Sequence, residues 1–390
     1  MNGGAISQSP KVYGWCPGAL RPMMSGDGLV VRVRAPLGQL TVTQARGVAR
    51  LSQDFGNGLL DISARANLQM RGIREDTHAE LIAGLRDLGL IDPDAQAEAR
   101  RNVLLAPFWA EGDETHAIAT DLSAALTAAT DLALPGKFGF AVDCDEAPVL
   151  QDTAADIRIE RSGEALILRA DGATVGKAVT RESAVAEALA LARWFLDQGG
   201  APEGRGRMHR LIARRGPPPA HAAARSTSAP QPLPGPAAKG FLAALEFGQM
   251  PAATLAALAD HGAIRLTPWR ALLVEGADSL PRLPGLILDG TDPRLQVTVC
   301  TGAPGCLQAL SPTRELARDL AAKLPAGTKL HVSGCTKGCA CPAPSPLTLT
   351  ATAKNQFSLI RHGTAADQPL KTRLSAAALR ASPELLTEGS

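Results

Sequence analysis

The stretch LDISARANLQMRG, residues 60–72, returns 204 positions later as IRLTPWRALLVEG, residues 264–276, without a gap. Ser63 falls on Thr267, and Gly72 on Gly276. Upstream, GQLTVTQARGVAR (38–50) is matched by GQMPAATLAALADHG (248–262). The first of these opens a helix, because Val42, Ala45, Val48, Ala49 and Leu51 recur at helical spacing. A strand–helix–strand unit thus occurs twice. A chain that repeats itself in this way is expected to fold as two related halves with a ligand at their junction, a frequent place for a pocket.

Outward from the repeat, GLVVRVRAP (28–36) alternates strand formers with Arg32 and Arg34, so both guanidiniums leave one face of a strand. DTHAELIAGLRDLGL (76–90) reads as a capped amphipathic helix. From 101 to about 195, strands at KFGFAVD, DIRIER and ALILRADG alternate with helices around 115–130 and at 182–197. GPPPAHAAARSTSAPQPLPGP (216–236) has no periodicity and predicts a linker or mobile loop. The expected domains are a first half-domain over 10–90, an α/β domain over 95–200, a basic segment and linker over 201–238, a second half-domain over 239–290 and a second α/β domain over 291–390.

The 390 residues give ample length for a core. Forty Lys and Arg against 38 Asp and Glu offer no sequence-wide reason to expect nucleic acid or an acidic membrane surface. Any anionic ligand must therefore be met by local arginines. No apolar run approaches a membrane span, and MNGGAISQSPKVYGWCPG has neither the charged start nor the apolar middle of a signal peptide. The cytoplasm is the expected compartment, where seven cysteines do not make a disulfide framework. Five of them, Cys300, Cys306, Cys335, Cys339 and Cys341, fall within 42 residues in VCTGAPGC and SGCTKGCAC. Glycine-bearing loops of this kind suit thiolate-held metal, since backbone N–H groups can point at sulfur. The five-residue gap fits an iron–sulfur cluster better than zinc, whose cysteine pairs usually lie two to four residues apart.

The pairing of C-x5-C with C-x3-C, together with the repeat, resembles the sirohaem-dependent sulfite and nitrite reductases over nearly the whole chain. The resemblance implies an α/β (α+β) fold of two ferredoxin-like half-domains and two α/β domains related by a pseudo-twofold. It also implies Cys300, Cys306, Cys335 and Cys339 as ligands of a [4Fe–4S] cluster, with Cys339 nearest a tetrapyrrole and Cys341 a bystander or a neighbour of the ligands. ISARANLQMRGI is similar to the family's T-x-R-x-x-x-Q-x-x-G-I strand and nominates Arg65, with Gln69 beside it. RRNVLLAP nominates Arg101, and LPGKFGFAVD nominates Lys137. Arg65, Arg101 and Lys137 are the implied catalytic residues; Gln69, Arg265 and Arg270 join them in binding substrate. Physically, a tetrapyrrole rimmed with acetates and propionates calls for guanidiniums that can pair with carboxylates in bidentate fashion.

Two departures narrow the activity. The reductases place a Lys-x-Lys pair over the iron and an arginine before it; here the second lysine is Gly139 and the arginine is Gly136. Losing two cations around a small oxyanion removes stabilisation its reduction depends on, which suits a pocket whose tetrapyrrole is the substrate. GWCPGALRPMMSGDGLVVRVR (14–34), LPGKFGFAVD and SGCTKGCA are similar to segments of the precorrin-3B synthases of aerobic cobalamin biosynthesis. That resemblance implies precorrin-3A and O2 as substrates, hydroxylation of a ring carbon and closure of an acetate arm as a γ-lactone. It further implies an electron donor, an NADH-linked reductase or ferredoxin, and a place for a mononuclear non-haem iron whose ligands the sequence does not name. Sirohaem is expected only under the second reading, a sulfite or nitrite reductase. A cluster-bearing electron carrier or tetrapyrrole-binding module is the third.

Among the remaining candidates, Cys16 in WCPG either faces the pocket or is an inert loop thiol, and Cys144 reads as a small core residue. His331 reads as structural. RGRMHRLIARRG (205–216) is a solvated helix end or a lid over the carboxylate rim, and SGDG (25–28) is turn chemistry.

Overall fold

The computed structural model describes residues 17–387. Two compact units divide them, the larger holding 28–289 with the segment before Met24, the smaller holding 24–27 with the chain from Gly290 onward.

In the larger unit the first half-domain runs through strand Gly28–Val33, helix Val42–Phe55, strands Leu59–Ile62 and Leu68–Ile73, and helix His78–Asp87. Helix Val42–Phe55 begins at Thr41, whose hydroxyl accepts from the Gln44 N–H at 3.2 Å while the Gln44 side chain accepts from the Thr41 N–H at 3.0 Å. Such a capping box is worth about 1 kcal/mol. The second half-domain repeats the order with strand Gly240–Leu245, helix Ala252–Leu258 and strands Ile264–Leu266 and Ala271–Glu275.

The repeat extends to backbone conformation. Ala66 and Arg270, equivalent positions in the two hairpins, both take left-handed φ, at 52° and 56°. Each turn is held from inside by a short hydroxyl: Ser63 Oγ accepts from the Asn67 N–H at 3.2 Å, and Thr267 Oγ1 from the Trp269 N–H at 3.4 Å. Leu37–Gly38 and Phe247–Gly248 form a second matched pair of left-handed turns.

Each half also completes its sheet with a strand from the other. Gln249–Pro251 pairs antiparallel with Leu59–Asp61, and Gln39–Leu40 pairs antiparallel with Ile264–Arg265. The exchange is clasped twice: Gln249 Nε2 donates to Asp61 Oδ1 at 2.7 Å, and Gln39 Nε2 donates to Glu275 Oε2 at 2.7 Å. Asp61 is also ion-paired with Arg71 at 3.4 Å, and Glu275 with Arg265 at 2.5 Å, so the same two positions hold acid and base in opposite order. Helices Val42–Phe55 and Ala252–Leu258 pack together beneath, and one apolar core runs through Val48, Leu60, Met250, Leu255, Ile264 and Leu272.

The first α/β domain has strands Val103–Leu105, Phe140–Asp143, Ile157–Ser162, Ala165–Ala170 and Val175–Val179, joined parallel, parallel, antiparallel, antiparallel. One face packs on helices Glu114–Ala128 and Arg181–Asp197 through residues such as Ile118, Leu122, Ala188 and Phe195. The Pro/Ala/Ser-rich 216–236 stretch is mostly loop, as expected, with two short sheet pairings. Ala223–Ala224 pairs with Val175–Gly176, and Gly235–Ala237 pairs with Gly240–Leu242. In the basic segment before it, helix Met208–Arg215 buries Met208, Leu211 and Ile212 in the domain core.

The smaller unit carries strands Val297–Val299, Leu330–Ser333, Ser345–Ala353, Gln356–Gly363 and Lys371–Ser375 in the same parallel, parallel, antiparallel, antiparallel order. Helix Arg314–Ala321 buries Leu316, Ala317 and Leu320. The fold is the expected mixed α+β one.

The reversed ion pairs make a prediction. Asp61→Arg places two guanidiniums together in a buried site and should cost about 3–5 kcal/mol in urea unfolding. Asp61→Arg with Arg71→Glu rebuilds the order already used at Arg265 and Glu275 and should recover most of that loss.

Candidate functional site

The clustered cysteines occupy loops at the carboxyl ends of two neighbouring parallel strands of the smaller unit. Cys300 directly follows Val297–Val299, and Cys335 follows Leu330–Ser333 after one glycine. The loops are bound to each other: the Cys300 N–H donates to Val332 O at 3.2 Å, and the Leu310 N–H donates to Gly334 O at 2.8 Å. Thr313 Oγ1 donates to Cys300 O at 2.9 Å. The Gly334 N–H points at sulfur, donating to Cys300 Sγ at 2.9 Å. A Cβ on Gly334 would stand 2.7 Å from Ala309 Cβ and 3.3 Å from that sulfur, so the residue must be glycine for the backbone to reach it.

Four thiols lie within electrostatic reach of one another. Burial pushes the Cys300 thiol up, N–H groups of Gly334 and Gly302 pull it back, and neighbouring Cys306 and Cys335 push it up again. Burial likewise raises Cys339, Lys337 opposes it, and Cys335, Cys306 and Cys300 add to the rise. The Cys341 Sγ lies 3.4 Å from Ala343 O. Among the described residues no three His, Cys, Asp or Glu side chains converge to hold a single metal ion. Thiols on glycine-bearing loops, with a backbone N–H aimed at one sulfur, are a donor set that fits an iron–sulfur cluster. Cys144 is a buried core residue, its thiol pushed up to about 12 chiefly by burial. Cys16 lies outside the described residues.

A separate cluster of buried arginines lies on the first half-domain's sheet, Arg32 being 8% and Arg34 6% exposed. Its strands bury Val31, Val33, Leu60, Leu68 and Met70 in the core, which sends the alternate side chains, Arg32, Arg34, Asn67 and Gln69, to the opposite face. Arg32 Nε and Nη2 donate to Gln69 Oε1 at 3.2 and 2.7 Å. Arg34 Nη1 pairs with Glu98 at 2.8 Å, and burial holds Arg34 down near 10 despite that partner. The same Glu98 accepts from the Ala19 and Leu20 N–H groups at 2.5 and 3.2 Å, tying down the loop that opens the described chain. Arg34 Nε and Asn67 Nδ2 are buried without a hydrogen-bond partner.

The nominated residues meet different fates. Arg65 donates to the Lys137 carbonyl at 3.2 Å, which brings those two together, and the Lys137 side chain is exposed. Gln69 is held by Arg32. Arg101 forms a two-pronged pair with Asp92 at 2.6 and 2.9 Å and donates to Arg34 O at 2.9 Å. Arg265 is 2% exposed and lies 3.8 Å over the Trp109 ring. It donates to Pro107 O, Trp109 O and Glu275, which makes it a strut of the sheet. Arg270 is the left-handed turn residue, its carbonyl accepting from the Leu245 N–H at 2.9 Å. Arg32, Arg34 and Asn67 were not nominated, although the two-residue alternation of the arginines was visible in GLVVRVRAP. At the register positions equivalent to Arg32, Arg34, Asn67 and Gln69, the second half carries Leu242, Ala244, Ala271 and Leu273, all in an apolar cluster against Phe108. One half therefore presents a cationic face and the other a closed, greasy one.

Residues 21–88, which contain this cationic sheet, match the nitrite/sulfite reductase ferredoxin-like half domain. The chain has the fold of a solved nitrite/sulfite reductase-like protein, and only its first half-domain is matched by the family model. Over 91% of its length it superposes on 79% of the Mycobacterium tuberculosis NirA protein, with a TM-score of 0.69 and 19% identity. A precorrin-3B synthase of Sinorhizobium sp is 29% identical across 95% of this chain and 87% of its own length. A ferredoxin–nitrite reductase of Leptolyngbya laminosa is 32% identical over 94 residues, 24% of this chain and 18% of that protein. The sequence likeness to the synthase thus spans nearly the whole chain, while that to the nitrite reductase is local.

Two substitutions test the ligand set. Cys339→Ser should lose iron and the brown chromophore, whereas Cys341→Ser should retain both, read by iron analysis of anaerobically purified protein. Gly334→Ala, which crowds Cys300 Sγ, should lower iron content while leaving the circular dichroism spectrum unchanged.

Proposed function

We propose that this chain is an iron–sulfur monooxygenase of the precorrin-3B synthase kind, acting on precorrin-3A in cobalamin biosynthesis. The observation that carries the reading is Gly139, where the sirohaem reductases resembled by the sequence carry the second lysine of their pair. The Cβ of any side chain at Gly139 would lie 2.5 Å from Asn102 Nδ2 and 3.2 Å from Asn102 O. Asn102 Nδ2 is itself bonded to Phe138 O at 3.0 Å. Asn102 therefore fills the space where a second cation would begin, and the thinned oxyanion site is built into the packing. The near full-length likeness to a precorrin-3B synthase supports the same conclusion.

In this reading Cys300, Cys306, Cys335 and Cys339 hold a [4Fe–4S] cluster, which supplies electrons for the reduction of O2 when it is bound. Gly334 contributes an N–H to the sulfur of Cys300, and such bonds tune a cluster's potential. Arg65 and Lys137 act together on the substrate's carboxylate arms, and Arg32 and Arg34 extend that recognition over the first half-domain's sheet. Arg34 Nε and Asn67 Nδ2 have the unfilled donor capacity that a carboxylate would satisfy. Arg101, locked to Asp92 and to the Arg34 carbonyl, positions Arg34. Arg265 and Arg270 take no direct part in this scheme. Hydroxylation of a ring carbon sets up attack by a neighbouring acetate to close the γ-lactone. The electron donor is an NADH-linked reductase or a ferredoxin, and a mononuclear non-haem iron is a further element of the scheme without assigned ligands.

Sirohaem-dependent reduction of sulfite or nitrite is the second reading, favoured by the local identity to a nitrite reductase. Anaerobically purified protein should contain about four irons per chain, as one cubane requires, show no sirohaem absorption and convert precorrin-3A only when O2 is supplied. Stoichiometric sirohaem would overturn the proposal. A loaded protein that yields no oxygenated product would instead mark an electron carrier or tetrapyrrole-binding module. Arg65→Ala should raise the KM for precorrin-3A about tenfold, the usual cost of one charge-assisted bond. Gly139→Lys should destabilise the fold by about 1–3 kcal/mol through overpacking and should not create sulfite reduction.

A further inference from the structure

The turn at Gly26 and Asp27 joins strand Met23–Ser25 to strand Gly28–Val33, yet residues 24–27 belong to the smaller unit, with the chain from Gly290 onward. They lie against the loop that leads to Cys306. Ser25 Oγ donates to Gly305 O at 2.6 Å, and the Gly26 N–H donates to the same oxygen at 3.3 Å. The partners Ser25 and Gly305 are 280 residues apart in sequence. Gly26 is pressed onto the loop's backbone: a Cβ there would overlap Pro304 O and stand 3.2 Å from the Cys306 N. A side chain at this position would push one of the two segments away.

The loop has little of its own to hold it. Between Cys300 and Cys306 run Thr301, Gly302, Ala303, Pro304 and Gly305. Glycines leave a backbone many conformations, so a loop of this composition does not by itself fix a cysteine in one place. Its root is secured within the unit, where the Ala303 N–H donates to Ser311 O at 3.0 Å and the Cys306 N–H donates to Gly302 O at 2.9 Å. The peptide unit joining Gly305 to Cys306 is planar and stiff. Both of its polar ends are held, the N–H by Gly302 and the oxygen by Ser25 and Gly26.

We propose that Ser25 and Gly26 form a brace that places Cys306 for cluster binding. The inference rests on the [4Fe–4S] reading proposed above. Four sulfurs must meet one cluster at fixed spacing, and a ligand already held in position loses less conformational freedom on binding. Ser25 is a positioning residue, acting through the Gly305 carbonyl and not on iron.

The rate of iron release to a ferrous chelator, measured on anaerobically purified full-length protein together with the melting temperature, tests the brace. Ser25→Ala should release iron about fivefold faster than wild type, the usual worth of one neutral hydrogen bond. Ser25→Thr, which keeps the hydroxyl, should release it at the wild-type rate. Gly26→Ala should be purified with little iron while keeping the wild-type circular dichroism spectrum. Ser375→Ala removes another hydroxyl contact of the same unit, in which Ser375 Oγ accepts from the Ala378 N–H at 3.0 Å. It should lower the melting temperature and leave iron release unchanged. The brace is overturned if Ser25→Ala releases iron no faster than wild type, if Ser25→Thr does not recover the wild-type rate, or if Ser375→Ala speeds release as much as Ser25→Ala. Wild type that holds no iron overturns the cluster reading, and the brace with it.

Discussion

The exchange of edge strands between the two half-domains is the constraint on which the larger unit depends. Gln39–Leu40 serves the second half's sheet, and Gln249–Pro251 serves the first half's, so neither half has a complete sheet alone. An exposed edge is prone to misassociate, and the exchange covers Leu59–Ile62 and Ile264–Leu266, leaving strands of only three and two residues as the new edges. The glutamine of each exchanged strand reaches a carboxylate in the host half, and that carboxylate also holds an arginine. Each clasp thus combines backbone pairing, a hydrogen bond to a carboxylate and an ion pair, buried at Arg71–Asp61 and half-exposed at Arg265–Glu275. The two helices packed beneath merge the halves into one core, which fixes where the ligand-facing strands stand.

Duplication preserved backbone and diverged in side chains. The hairpins keep their left-handed residue and the hydroxyl beneath it, because few alternatives satisfy that turn. The faces above them part company: Arg32, Arg34, Asn67 and Gln69 in one half, Leu242, Ala244, Ala271 and Leu273 in the other. Phe108 covers the second set, so only the first retains buried polar groups with unused bonding capacity. Of the two half-domain sheets, only the first carries arginines at these register positions. The two α/β domains repeat the pattern with the same strand order, one carrying cysteines at its parallel strand ends and the other Ala106 and Cys144.

The fold was largely legible in the repeat, since alternation, helical spacing and turn residues are local signals. The 216–236 segment is mostly loop, as its composition predicts, but its two short sheet pairings are not legible, for the converse reason. A Pro- and Ala-rich strand with no periodicity shows nothing of the edge it will pair with, and Ala223–Ala224 becomes a strand only because Val175–Gly176 lies free beside it. The candidate site was legible in part. Cysteine spacing pointed to the thiolates, and motif resemblance pointed to Arg65 and Lys137, which share a contact. Arg265 looked like an anion-binding arginine until Glu275, Pro107 and Trp109 were seen to absorb its guanidinium.

What the sequence determined by itself is therefore what neighbouring residues decide: the duplicated hairpins, the glycine loops that bring backbone N–H groups to sulfur, and the missing second cation at Gly139. What only the tertiary structure decided is availability. Whether an arginine can meet a ligand depends on which carboxylates and carbonyls, tens or hundreds of residues away, already occupy its five N–H donors. Arg101 is occupied in that way, its Nε and Nη2 on Asp92, whereas Arg34 keeps an unpartnered Nε. That difference is set by long-range packing, which no local pattern encodes.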